Sequence, residues 1–243
     1  MLISRRTLLL GAAATGLVAC TSRTELGGES AGPAVAPGLI NPFAPSRPSD
    51  AVADPTATNP PIEKIPTSVT MVGDSISALS KSALDTVLDG MGFETVMIDA
   101  EPSRRIQVGK KNPTNGLAVI SFIEGAQPPD VWVIELGTND AGLYADDKEY
   151  QDLIDSVLDV IGKDVQLVWV NTYRDDHIDG CIQFNGLLQA TLERRGNATV
   201  ADWYQLCSAK DATILTKDGV HPNKAGILVM ADTVRSAIAS RLG

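Results

Sequence analysis

The sequence predicts an α/β domain over residues 66–243, a three-layer α/β/α sandwich around a five-stranded parallel sheet. Three observations carry this expectation. Strand-like and helix-like segments alternate from Pro66 onward. The strand-like segments are almost continuously apolar, as strands covered by helices on both faces must be. The segment is also long enough to bury one such core, and it contains no internal repeat.

The elements follow in order. Val69-Thr70-Met71-Val72 reads as a short buried strand, and Ile76 to Leu88 as a helix. Thr95-Val96-Met97-Ile98 is the second strand, and Val131-Trp132-Val133-Ile134-Glu135-Leu136 the third and strongest. Leu153, Ile154, Val157, Leu158 and Ile161 recur at helical spacing on one face. Val165-Gln166-Leu167-Val168-Trp169-Val170 is the fourth strand, followed by a helix near Phe184 to Leu192. Ala198 to Ala201 is a short fifth strand. Ile227, Ala231, Val234, Ile238 and Leu242 mark a final amphipathic helix.

The N-terminal part reads differently. Arg5 and Arg6 form a short positive region, and Thr7 to Ala19 are apolar or small, a run too short to span a bilayer. Residues 1–19 are therefore expected to be a cleaved export signal. Ser4-Arg5-Arg6-Thr7-Leu8-Leu9 is similar to a twin-arginine signal. Leu17-Val18-Ala19-Cys20 resembles a bacterial lipobox, which implies cleavage before Cys20 and lipidation of its thiol. An ordinary signal peptide with a chance cysteine is the plainer alternative.

Residues 20–65 are expected to be a lipidated N-terminus and a tether. Eight of the fourteen prolines lie between residues 21 and 65, with four glycines and only isolated apolar residues. Such a segment buries too little surface to offset its ordering entropy, and its prolines make it a semi-rigid spacer. Within it, Gly28-Glu29-Ser30-Ala31-Gly32 matches the G-x-S-x-G nucleophile elbow. That motif functions on a turn between a buried strand and a helix, and neither flanks it here.

Charge and composition narrow the chemistry. The chain carries 20 basic and 30 acidic residues, a net of -10, with a pI near 4.6. This argues against a nucleic-acid partner, which needs a basic face. There are two histidines, His177 and His221, and three cysteines, without CxxC or HExxH spacing. No metal site and no cofactor are expected. An imidazole base must be one of those two histidines.

In open parallel sheets, ligands bind beyond the carboxyl ends of the strands. Gly73-Asp74-Ser75 follows the first strand and Ala100-Glu101-Pro102-Ser103-Arg104 the second. Gly137-Thr138-Asn139-Asp140 follows the third, and Asp218-Gly219-Val220-His221-Pro222 precedes the last helix. Each fragment alone reads as a helix cap or a turn. Their order and their positions at strand ends make the set specific.

These four blocks resemble those of the SGNH (GDSL-like) hydrolases over roughly residues 68–240, and the exported actinobacterial type in particular. Domains fused to membrane acyltransferases are also similar. The resemblance implies a flavodoxin-like sheet order and a serine esterase. It assigns the nucleophile to Ser75, the base to His221 and the orienting acid to Asp218. Oxyanion donors would be the N–H of Ser75, the N–H of the block-two residue and the Asn139 amide. The family carries glycine in its second block where this chain has Ser103, with Gly109 as the fallback.

The residue chemistry agrees with those roles. A serine hydroxyl needs an adjacent base. A carboxylate three residues before His221 can fix its tautomer and stabilise the imidazolium. The tetrahedral oxyanion needs donors fixed in advance. Asp74 and Asp140 are expected to hold loops. His177, in Arg174-Asp175-Asp176-His177, is expected in a solvated loop, with substrate contact as the alternative. Arg104 is a candidate for binding a sugar or a carboxylate. An exported chain meets oxidising conditions, so Cys181 and Cys207 are expected to form a disulfide.

The expected reaction is removal of a short acyl group, such as acetyl, from carbohydrate or glycolipid of the cell envelope. The enzyme would be held on the outer face of the membrane through Cys20. No lid is visible, since Ala141 to Asp147 is short and polar, which favours short acyl chains. The alternatives are an O-acyltransferase using the same acyl-enzyme and a non-catalytic carbohydrate-binding lipoprotein.

Overall fold

The computed structural model describes residues 65–109, 114–209 and 212–242. The export signal, Cys20, the tether and the Gly28–Gly32 motif lie outside the described residues. Among the described residues, no helix is long and apolar enough to cross a membrane.

Five parallel strands form one sheet: β1 (Ser68–Gly73), β2 (Thr95–Ala100), β3 (Val131–Glu135), β4 (Gln166–Val170) and β5 (Ala198–Ala201). Their order is β2-β1-β3-β4-β5, with every neighbouring pair parallel. The helices are α1 (Ser75–Gly90), α2 (Gly116–Ala126), α3 (Asp147–Ile161), α4 (Ile178–Arg195), α5 (Trp203–Ser208) and α6 (Lys224–Leu242).

The central strands β1, β3 and β4 alternate between two cores, while edge strand β2 keeps Thr95 and Met97 exposed. Val69, Met71, Val131, Val133, Val168 and Val170 face one core with Leu84 and Leu88 of α1 and Val234 and Ile238 of α6. Val72, Trp132, Ile134, Leu167 and Trp169 face the other with Ile120, Ile154, Val157 and Leu188 of α2, α3 and α4. Because both faces are dry, side chains of both parities are apolar. That is the physical origin of the continuous runs in the sequence.

The chain winds from β1 outward to β2, returns past β1 to β3, and continues to β5. The reversal lies between β1 and β3, and sheets of this kind bind ligands beyond the carboxyl ends of the strands at such a point. Ser75 begins the helix after β1, and Asn139 lies in the loop after β3.

Two helices escape the sequence pattern. α2 reads Gly-Leu-Ala-Val-Ile-Ser-Phe-Ile-Glu-Gly-Ala, apolar nearly all round, with Phe122 76% exposed, so no single stripe marks it. Its one signal is Asn115, whose side chain caps the helix by accepting from the Ala118 N–H. α5 is six residues long, too short for periodicity. α4 starts earlier than its apolar pattern suggests, running directly out of a 3-10 turn at Asp175–His177.

The expected Cys181–Cys207 disulfide is not formed, and both cysteines are free and buried. They belong to the same apolar core. Burial is the first cause that pushes both thiols up, so each stays protonated as a small apolar side chain. The Thr172 hydroxyl is a further hydrogen-bond partner of the Cys181 thiol.

Candidate active site

β1 ends at Gly73 and the chain turns directly into α1. Asp74 caps that helix, its Oδ1 accepting from the Ile76 N–H at 2.9 Å. Ser75 is thus the first helical residue and is half-exposed. Its N–H bonds to no described residue.

The histidine block folds as a tight hairpin. Leu215 and Pro222 form an antiparallel bridge, and the Thr216 N–H donates to the His221 carbonyl at 2.8 Å. Gly219 sits in its turn at φ +69°, a conformation that favours glycine. Asn223 locks the hairpin to α6. Its side-chain oxygen accepts from the N–H groups of Ala225 and Gly226, and its amide donates to the carbonyls of Thr213 and Leu215.

This hairpin brings together residues 146 apart in sequence. His221 Nε2 lies 3.0 Å from Ser75 Oγ. His221 Nδ1 lies 2.8 Å from Asp218 Oδ2. Asp218 Oδ1 accepts from the Val220 and His221 N–H groups, both at 3.0 Å, and from the Thr216 hydroxyl at 2.7 Å. The His221 N–H first, then its imidazole, Thr216 and Val220, hold the Asp218 carboxyl well below the usual carboxylate range. An ionised Asp218 is thus fixed against one ring nitrogen while the other faces the serine, as a relay through the imidazole requires.

The block-two segment is tied to the same corner. The Glu101 N–H donates to the Gly73 carbonyl at 3.2 Å. Arg104 donates to the Gly73 and Asp99 carbonyls at 2.9 and 2.8 Å, and to the Thr114 carbonyl at 3.0 Å. It also pairs with the Asp99 carboxylate at 2.6 Å. Arg104 is 2% exposed, so the expectation that it binds substrate is corrected. Its guanidinium is consumed in clamping β1, β2 and the start of α2, and none of it is offered to solvent.

Ser103 has φ +64°, a left-handed conformation that disfavours any side chain except that of glycine. It stands where a glycine was expected, and it keeps a glycine's backbone shape. The residue is exposed and its N–H bonds to no described residue. Gly109 also has positive φ, +112°, but its carbonyl is held by Asn115 at the start of α2. No hydrogen bond links Gly109 to the Ser75 corner among the described residues.

Asn139 is half-buried, and its Nδ2 donates to Asp74 Oδ2 at 2.8 Å and to the Arg104 carbonyl at 3.2 Å. It therefore bridges the first and second blocks. Asp140 is buried and ties the loop after β3 to the block-two segment through Arg105 Nε and the Ile106 N–H, both at 3.0 Å. The second histidine, His177, makes no hydrogen bond to Ser75, Asp218 or His221 among the described residues. Its ring packs on Gly142, and its Nε2 is 3.8 Å from Asp176.

Several residues that complete the site carried no motif signal. Glu135, the last residue of β3, is buried behind the nucleophile and accepts from the Asp74 N–H and from Ser77. Arg174 bonds the Thr138 carbonyl at 3.2 Å and chelates Asp176 with two bonds. An acidic residue ending an otherwise apolar strand was the one available sign for Glu135.

No protein-family profile matches the sequence, and no curated protein matches it. Solved structures do. The catalytic domain of Streptococcus pneumoniae peptidoglycan O-acetyltransferase A aligns with TM-score 0.58 and 23% identity, covering 73% of this chain and 96% of that domain. A lipase/acylhydrolase from Enterococcus faecalis aligns with TM-score 0.60 and 20% identity, covering 72% and 97%. A carbohydrate acetylesterase family member from Sinorhizobium meliloti aligns with TM-score 0.55 and 12% identity, covering 73% and 99%. The likeness is one of fold: the chain has the five-stranded α/β fold of the SGNH hydrolases.

Proposed function

We propose that the chain is a serine ester hydrolase that removes short acyl groups, such as acetyl, from carbohydrate or glycolipid of the cell envelope. The observation that carries this reading is the Ser75–His221–Asp218 relay, with links of 3.0 and 2.8 Å. Ser75 attacks the ester carbonyl while His221 Nε2 takes the hydroxyl proton. The proton then passes to the leaving sugar oxygen as the ester C–O bond breaks, leaving the acyl group on Ser75. Water attacks that acyl-enzyme by the same base, releasing the acid and restoring the serine.

The oxyanion formed in each attack meets the N–H groups of Ser75 and Ser103. The Asn139 amide supplies a third donor by exchanging its longer contact, to the Arg104 carbonyl, for the oxyanion. Ser103 serves through its backbone, which the left-handed conformation aims as a glycine's would be. Asp218 stays ionised and orients the ring.

The choice of acylated carbohydrate draws on two similar folds, one from a peptidoglycan O-acetyltransferase and one from a carbohydrate acetylesterase. It also draws on the export-signal pattern of residues 1–20. The transferase likeness favours a second reading, in which a sugar hydroxyl replaces water in the second attack. Turnover of a reporter acetyl ester tests the first step. Product analysis with an added acceptor sugar separates the two readings, because acetylated sugar forms only under transfer. A folded protein that turns over no acyl ester, with or without acceptor, overturns both.

A further inference from the structure

Two carboxyl groups lie behind the nucleophile, and the relay uses neither. Asp74 is fully buried and Glu135 is 2% exposed. Glu135 Oε2 accepts from the Asp74 N–H at 3.1 Å, the Ser77 N–H at 3.2 Å and the Ser77 hydroxyl at 2.7 Å. Asp74 gives one oxygen to the Ile76 N–H and the other to the Asn139 amide. These contacts are to N–H, hydroxyl and amide groups, and among the described residues neither carboxyl forms an ion pair with a lysine or arginine. Because Glu135 Oε2 sits on the Asp74 backbone N–H, the two buried carboxyl groups belong to adjoining positions of one dry corner.

Two carboxyl groups buried in one corner without an ion-pair partner favour a proton on one of them. Two carboxylates buried there would repel without solvent to screen them. The charged neighbours do not remove this need. Arg104, on the β2 side, is paired with Asp99 and beside Glu101. Arg105 is paired with Asp140 after β3. The charge of Arg174 also reaches Asp74, but its guanidinium is paired with Asp176 before α4. His221 faces Asp74 from the hairpin and is already bonded to Asp218. Burial first, then the charge of Glu135, pushes the Asp74 carboxyl well above the usual range. Burial also raises Glu135.

We propose that Asp74 and Glu135 share a single proton, and that Glu135 is a positioning residue of the site. It fixes the first turn of α1 through Asp74 and Ser77. Through the shared proton it holds Asp74 against the amide of Asn139. When that proton leaves, two charges face each other in a dry site, Asp74 turns away and Asn139 loses its anchor. Turnover then falls as pH rises, on the opposite side from the limb set by protonation of His221.

This inference rests on the ester-transfer reading, so one arm of its test needs no turnover. Infrared spectra across a pH titration should show a neutral carboxylic-acid band in the wild-type protein that persists above the ordinary carboxylate range. In Glu135→Gln the new amide donates to Asp74, which ionises, and the band disappears. In the kinetic arm, Glu135→Ala should lower kcat by at least ~10-fold with KM changed by less than ~3-fold. Glu135→Gln should recover most of that loss and lack the high-pH limb. Absence of the band from folded wild type overturns the proposal, as does a Glu135→Gln pH profile that superimposes on wild type. A band that behaves as expected in a protein without esterase activity supports the shared proton and overturns the ester reading alone.

Discussion

His221 touches Ser75 on one side and Asp218 on the other, while His177 packs on Gly142 and bonds to neither. With two histidines in the chain, the source of any imidazole limb can be decided by substitution. On the acid side, kcat/KM should fall as His221 takes up a proton and ceases to be a base. Asp218 adds no limb of its own there, because its depressed pKa keeps it ionised until the pH is far lower. His177→Gln should keep the limb and nearly full activity. His221→Gln should remove most turnover, and Asp218→Asn should cost activity but less than loss of the ring. A limb lost in His177→Gln and kept in an active His221→Gln would reverse the assignment. Ser103 offers a second test. Its φ of +64° costs a side-chain-bearing residue about 1 kcal/mol. Ser103→Gly should raise stability by roughly that amount in denaturant unfolding. Its kcat should stay within about threefold of wild type if the backbone N–H is the working group. A large kcat loss would move the role to the hydroxyl.

At the scale of elements, the strands were legible because burial on both faces makes them uniformly apolar, and their ends located the four blocks. The approach of His221 to Ser75 and Asp218 was legible because all three lie in those blocks. α2 was not, because helical periodicity vanishes when a helix is apolar all round and leaves Phe122 in solvent. Arg104 was misread because sequence shows a charge and not its direction, and here four acceptors lie on the inward side. The disulfide was misread because two cysteines on neighbouring elements say nothing of the geometry a bond needs. Arg104 in turn makes a prediction about elements. Arg104→Ala removes the guanidinium from the Gly73, Asp99 and Thr114 carbonyls, of which Gly73 keeps the Glu101 N–H. The domain should lose ~3 kcal/mol, measured by chemical denaturation. Because the clamp joins Gly73 to the Ser103 segment, kcat should fall along with stability. A change below about 0.5 kcal/mol would show that water replaces the clamp.

For the whole molecule, the proposal joins a folded domain to an N-terminal address. If Cys20 is lipidated, Cys20→Ala should release the protein from the membrane fraction, since one thioether-linked anchor carries the attachment. Specific activity should be unchanged if the proline-rich stretch acts as the tether the sequence predicts. A variant still found with membranes would argue for attachment through another part of the chain. The central claim is that Ser75 is a nucleophile activated by His221, and it can be tested without knowing the natural ester. An organophosphonate ester reacts covalently with an activated serine, and mass spectrometry of the digested protein locates the adduct. The account predicts one adduct, on the peptide carrying Ser75, absent from Ser75→Ala and formed far more slowly in His221→Gln. A folded protein that takes no label, or takes it on another residue at an undiminished rate in Ser75→Ala, would contradict it.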